Sequence, residues 1–201
     1  MFEGSLPSNI SILTLDYNQF GNEGLFNLMN YIKTCKSLKY LSLAYCNIDE
    51  KGVNYLDKFL SSTTTLETLI LQGNPLKNAG MSELISILYN NSSIEEINLN
   101  NVLFGNDPEG VVSNFANLMA SNQTLIVYHI KFNFVTDQGK LFLILDFEVI
   151  FKSLKESCTH ICQFSIDEKI NKALFDEYFK MMKGRKRPKK KVKGKGKGKG
   201  K

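Results

Sequence analysis

The sequence predicts an α/β solenoid, with parallel strands side by side on a concave face and helices behind them on a convex face. Three observations carry that expectation. An apolar pattern recurs at a fixed offset of 28 residues, opening at Ile10, Leu38, Leu66 and Ile94. Inside each copy the next apolar positions alternate with period two, as a strand with one buried face requires. After each strand come apolar residues at i, i+3, i+4 and i+7, the stripe of an amphipathic helix. A fixed period of roughly 20–50 residues marks a repeat array whose units bury their apolar faces only against one another.

The elements follow in order. The strand positions are Leu13/Leu15, Leu41/Leu43, Leu69/Leu71 and Ile97/Leu99, with a fifth copy at Leu125, Tyr128 and Ile130. A degenerate sixth reads Ile161, Phe164, Ile166. The helical stripes are Leu25/Leu28/Met29/Ile32, Val53/Leu56/Leu60, Met81/Leu84/Ile85/Leu88 and Val111/Phe115/Leu118. Gly24, Gly52, Gly80 and Gly110 recur where loop meets helix, and tight turns are expected there. The fifth helix is expected at 147–154, which leaves seven surplus residues at 140–146. They are either an insertion that lengthens the helix or the translation of a retained in-frame mini-intron. Residues 168–182 predict a cap helix with Ile170, Leu174, Tyr178, Phe175 and Phe179 on its apolar side. At the other end only Phe2 and Leu6 precede the first strand as apolar groups. A docked partner at the first strand edge, or further repeats upstream, is expected.

Position nine of the repeat reads Asn18, Cys46, Asn74, Val102, Asn133. The stretches LKYLSLAYCNIDEKG and LETLILQGNPLKNAG fit L-x-x-L-x-L-x-x-[N/C]-x-[ILV]-x-x-x-G. On these residues the chain resembles the ribonuclease-inhibitor-like class of leucine-rich repeats over roughly residues 9–167. The resemblance implies a short segment of a horseshoe. An Asn at this site can pair loop backbone groups as both donor and acceptor. Val102 departs from the pattern, and its repeat has two extra loop residues around Pro108.

Three segments therefore divide the chain: repeats at 1–167, a cap helix at 168–182 and a Lys/Gly-rich tail at 183–201. The net charge of +5 conceals their asymmetry. Residues 183–201 hold twelve Lys/Arg and no acid, whereas residues 1–182 hold 13 basic against 20 acidic residues. Glycine between successive lysines, together with like-charge repulsion, predicts an extended, disordered tail. No secretory pattern opens the chain, and the apolar run 141–151 is interrupted by Asp146 and Glu148, so no membrane span is expected. The four cysteines fit reduced thiols. The sequons at Asn9, Asn90, Asn91 and Asn122 are read as chance matches in an intracellular chain.

The outward strand positions and the residue beyond them make the candidate binding surface: Tyr17, Tyr40, Tyr45, Ile70, Gln72, Glu96, Asn98, His129, Lys131 and Phe132. Tyrosine is favoured as an anchor in protein recognition. Five or six strands at about 4.8 Å give a face about 25 Å wide. A second candidate is polyanion binding by Lys186, Arg187, Lys189, Lys190, Lys191 and Lys193, in a segment that also resembles a nuclear import signal. Cys158, His160 and Cys162 offer three metal donors where zinc wants four, and are read as incidental. No nucleophile, phosphate-loop or zinc-protease motif occurs. No enzyme activity, cofactor or small-molecule substrate is expected.

The resulting expectation is a non-catalytic interaction or scaffold protein. It would hold a protein on its concave face and an acidic surface, such as tubulin tails or another polyanion, on its tail. The resemblance implies a ciliary or axonemal component in the cytoplasm. The alternative is a regulator similar to the activator of the GTPase Ran, or a nuclear adaptor.

Overall fold

The computed structural model describes residues 9–33, 35–105, 110–133, 140–165 and 172–187, with the backbone alone at 140–147 and 174. The six apolar patterns become six three-residue strands: β1 Ile12–Thr14, β2 Tyr40–Ser42, β3 Thr68–Ile70, β4 Glu96–Asn98, β5 Val127–His129 and β6 Gln163–Ser165. They form one parallel sheet in sequence order. Register reproduces the period: Ile12 pairs Tyr40, Tyr40 pairs Thr68 and Thr68 pairs Glu96, each 28 residues on. The spacing then stretches as Glu96 pairs Val127 and Val127 pairs Gln163.

Behind the sheet run α1 Gly21–Ile32, α2 Val53–Ser62, α3 Lys77–Tyr89, α4 Val111–Ser121 and α5 Lys140–Glu156. Each of these helices packs on the next along the solenoid. The central residues of β2–β5, Leu41, Leu69, Ile97 and Tyr128, are wholly buried against Leu56, Leu84, Leu118 and their neighbours. Burying one such aliphatic side chain stabilises by about 1.5–3 kcal/mol, so the core is built one repeat at a time.

Position nine explains its own alternation. Asn74 Oδ1 accepts from the backbone N–H groups of Cys46 (3.1 Å) and Ile48 (3.0 Å), while its Nδ2 donates to the carbonyls of Leu43 (2.8 Å) and Leu71 (2.9 Å). Asn133 repeats this two repeats on. Its Oδ1 takes the N–H groups of Val102 (2.8 Å) and Leu103 (3.1 Å), and its Nδ2 reaches Leu99 O (2.6 Å) and Ile130 O (2.9 Å). One Asn thus serves two loops, its own and the preceding one. Cys46 and Val102 stand where a second Asn is not needed. Val102 is wholly buried, so its departure from the pattern leaves its N–H paired by Asn133. The residues around Pro108 lie outside the described ones.

A second Asn pair closes the opposite edge. Asn91 donates to Leu60 O (2.8 Å) and accepts from Ile94 N (2.9 Å), and Asn122 donates to Leu88 O (2.9 Å) and accepts from Leu125 N (3.0 Å). These two of the four sequon asparagines are buried, with their amides occupied inside the fold.

Three details add to the sequence reading. Gly52 is not a left-handed turn, for its φ is −65°. A Cβ there would lie 2.3 Å from Asn22 Oδ1 and 2.7 Å from the Ile48 side chain, so any side chain would force both to move. Only at Gly110, with φ +79°, does this set need the left-handed freedom of glycine. The surplus residues 140–146 form the first turns of α5, which at 17 residues is longer than the 10–13 of α1–α4. Finally, the outward positions Ser42 and Ala44 are buried, because the Asp16 carboxylate covers them, accepting from Ser42 Oγ (2.5 Å) and Ala44 N (2.8 Å).

The C-terminal helix α6, Lys172–Met182, lies on the last repeat. Tyr178 is buried, stacks edgewise on Phe164 at 6.4 Å and donates its hydroxyl to Phe164 O. Phe175 packs at the margin, whereas Phe179, expected inside, is 61% exposed. Past the helix, Arg185 donates to the carbonyls of Cys158 (2.9 Å), Ile161 (3.0 Å) and Leu154 (3.4 Å). These close backbone acceptors at the end of α5 and the entry to β6. Ile170, Phe2, Leu6 and residues 188–201 lie outside the described residues.

Candidate functional site

The sheet geometry joins the concave side chains into a ladder. Gln72 Nε2 donates to Tyr45 Oη (3.2 Å), and Gln72 Oε1 accepts from Asn98 Nδ2 (3.1 Å). Asn98 Oδ1 accepts from Asn100 N (3.0 Å), and Asn100 Oδ1 from Lys131 N (2.6 Å). The side chains of Tyr45, Gln72 and Asn98 are therefore held in one orientation across three repeats, and Asn100 ties them to the backbone of Lys131. Tyr40 and Ile70 are half-buried on the neighbouring strands β2 and β3, in register with Thr68 and Ser42 respectively. The face is polar but already ordered, which lowers the entropy lost on docking.

One rim of this face is aromatic. The residue after each strand exit is left-handed: Tyr17 at φ 62°, Tyr45 at 54°, Gly73 at 71°, Asn101 at 53° and Phe132 at 62°. Gly and Asn take that conformation readily, whereas the three aromatics hold it at roughly 1–2 kcal/mol each. Tyr17 and Tyr45 stack with ring centroids 4.8 Å apart and planes 8° from parallel. A Cβ at Gly73 would sit 2.3 Å from the Tyr45 ring, so the ring rests on a bare backbone. Tyr17 is 72% exposed and Phe132 56%. Beside Tyr45 a shallow groove of about 300 Å³ is lined by Gln19, Asn47, Gly73 and Pro75.

The opposite part of the sheet carries charge. His129 Nε2 lies 3.5 Å from Glu96 Oε1, and His129 Nδ1 lies 3.0 Å from Ser165 Oγ. Arg187 Nη2 donates to Glu96 Oε2 at 2.8 Å. Of the predicted polyanion-binding residues, Lys186 and Arg187 are described, and Lys189, Lys190, Lys191 and Lys193 lie outside.

Cys158, His160 and Cys162 do not converge. Cys158 is buried, with its thiol 3.3 Å from Ser153 Oγ, while Cys162 donates to Ile126 O at 3.4 Å. Burial pushes both thiols up and disfavours the thiolate that a metal or a nucleophile needs. Burial holds His160 below its ordinary value. Among the described residues no group of three or more His, Cys, Asp or Glu side chains is placed to hold a metal ion, and no helix is long and apolar enough to cross a membrane.

A family model described as Leucine Rich repeat matches residues 34–56 and 63–84. Those spans hold both Cys46 and the Asn74 that pairs with its backbone. Both matched stretches are leucine-rich repeats. The fold extends that statement beyond the matched repeats. A Caenorhabditis elegans tropomodulin C-terminal domain superposes with a TM-score of 0.57 at 15% identity, covering 75% of this leucine-rich-repeat chain and 85% of that one. The structure of Leiomodin-1 Actin-Binding Site 2 superposes with a TM-score of 0.53 at 16% identity, covering 73% and 82%. Comparison with curated proteins gives no sequence match.

The sequence placed the aromatic rim and the strand face but missed the ladder and the seat of Arg187. The alternation of Tyr with Gly73 and Asn101 was the available signal for left-handed turns. Nothing in the one-dimensional pattern joins residue 187 to residue 96.

Proposed function

We propose that this leucine-rich-repeat chain is a non-catalytic protein-interaction module that grips a protein partner along the concave face. The observation that carries the reading is the stack of exposed Tyr17 on half-buried Tyr45, seated on Gly73 beside an ordered polar ladder. Rigid aromatic anchors next to fixed hydrogen-bonding groups supply contact area at low entropic cost. The basic segment adds salt-sensitive attraction to an acidic surface. We place the partner among cytoskeletal filaments. Actin is a candidate because the leiomodin structure of similar fold is an actin-binding site. Tubulin is a candidate because its acidic tails would complement the basic segment. The localisation proposed with it is cytoplasmic, at a cilium or axoneme where tubulin is the partner.

Co-sedimentation with actin filaments and with microtubules tests this, comparing the full chain with one ending at Arg187. That end point keeps Arg185 on its carbonyls. Binding to one filament is expected, with a salt-sensitive part lost in the shorter chain. Equal binding by both lengths at low salt would remove the basic segment from the account. Acceleration of GTPase turnover by the chain would instead favour the regulatory alternative.

A further inference from the structure

The basic segment does not leave the repeats at random. Arg185 is fixed by three carbonyls, of Leu154, Cys158 and Ile161. Two residues of chain span at most about 7 Å, so residue 187 must emerge beside the same end of the sheet. There Arg187 crosses to Glu96, 91 residues earlier in sequence and two strands in from the sheet edge at β6. Glu96 is half-buried and its other oxygen faces His129, which Ser165 holds from the far side. Asp16, a second carboxylate on this face, is already occupied by Ser42 and Ala44. Glu96 thus stands as an intramolecular counter-ion for the root of a segment in which eight further lysines follow.

We infer that Glu96 competes in cis with the acidic partner for Arg187, the root of the basic segment. The inference rests on the proposed reading that the segment meets an acidic surface. It adds the residue that regulates this contact. An acidic peptide reaching Arg187 must displace the Glu96 carboxylate, and once that is displaced the peptide lies against the His129–Lys131 end of the ladder. The partner that fits carries a carboxylate-rich stretch beside the surface gripped by the aromatic rim. An exposed ion pair is weak, so the lock opens readily, and salt weakens it further.

Fluorescence anisotropy with labelled poly-glutamate tests the coupling in four chains: full length, Glu96→Gln, a chain ending at Arg185, and both changes together. Glu96→Gln should tighten the full chain by up to about five-fold at low ionic strength, the ceiling for an exposed pair. The gain in the chain ending at Arg185, which keeps only the loss of one negative charge, should be smaller. No gain in the full chain, or an equal gain in the shortened one, overturns the inference. A second readout needs no acidic probe. Tryptic cleavage after Lys186 should run faster in Glu96→Gln by up to the same factor, and an unchanged rate overturns the inference. If poly-glutamate binds no chain while cleavage still accelerates, the lock stands and the polyanion reading of the segment falls.

Discussion

Asn74 is wholly buried, and its amide meets four backbone groups in two neighbouring repeats. Replacing it with alanine leaves those groups unpaired at about 1–3 kcal/mol apiece, partly relieved by relaxation. We expect Asn74→Ala to cost about 3 kcal/mol or more in urea denaturation. Asn18 occupies the same repeat position but is exposed, and among the described residues its amide donates only to Leu15 O (2.7 Å) and Asp16 O (3.2 Å) within its own loop. Asn18→Ala should cost less than about 1 kcal/mol. Equal losses would contradict the shared-loop account. The alternation Asn, Cys, Asn, Val, Asn was visible as letters. Its direction was not, since spacing alone does not say which neighbouring loop an amide faces.

At the scale of elements, the C-terminal repeats exchange leucine for aromatics. Phe104, Phe115, Tyr128, Phe164 and Tyr178 form a continuous column, with successive centroids 5.6, 5.8, 6.1 and 6.4 Å apart. It links the loop after β4 to α4, β5, β6 and α6. In β5 the Tyr128 hydroxyl is wholly buried and finds no partner among the described residues, and burial pushes its ionisation far above the ordinary tyrosine value. Tyr128→Phe keeps the ring and removes the orphaned hydroxyl. It should raise stability by about 1 kcal/mol in thermal or denaturant unfolding. A loss of that size would mean that the hydroxyl has a partner. The sequence showed the strand and the helices because their periods are local. The exposure of Phe179 was not legible, because helical spacing groups it with Phe175 while the last repeat offers room for Tyr178 and little beyond it. The close approach behind Gly52 was hidden for the same reason, as Asn22 lies one whole repeat away.

Across the molecule, the repeats supply a narrow, pre-ordered face with an aromatic rim at one side and charge towards its C-terminal end. Its function is argued from those side chains, since the fold displays many partners and names none. The period predicted the face itself. The Tyr45–Gln72–Asn98 ladder and the return of Arg187 to Glu96 are tertiary facts carried by residues 26–27 and 91 apart. The central claim is that Tyr17 and Tyr45 anchor the partner. The most direct measurement is the affinity of the chain ending at Arg187 for the filament it binds, with and without the double change Tyr17→Ala and Tyr45→Ala. Tyr17 stands at the surface and Tyr45 is half-buried on Gly73, so the unfolding midpoint should fall modestly while affinity falls roughly tenfold or more. Unchanged affinity in a folded double variant would contradict the account.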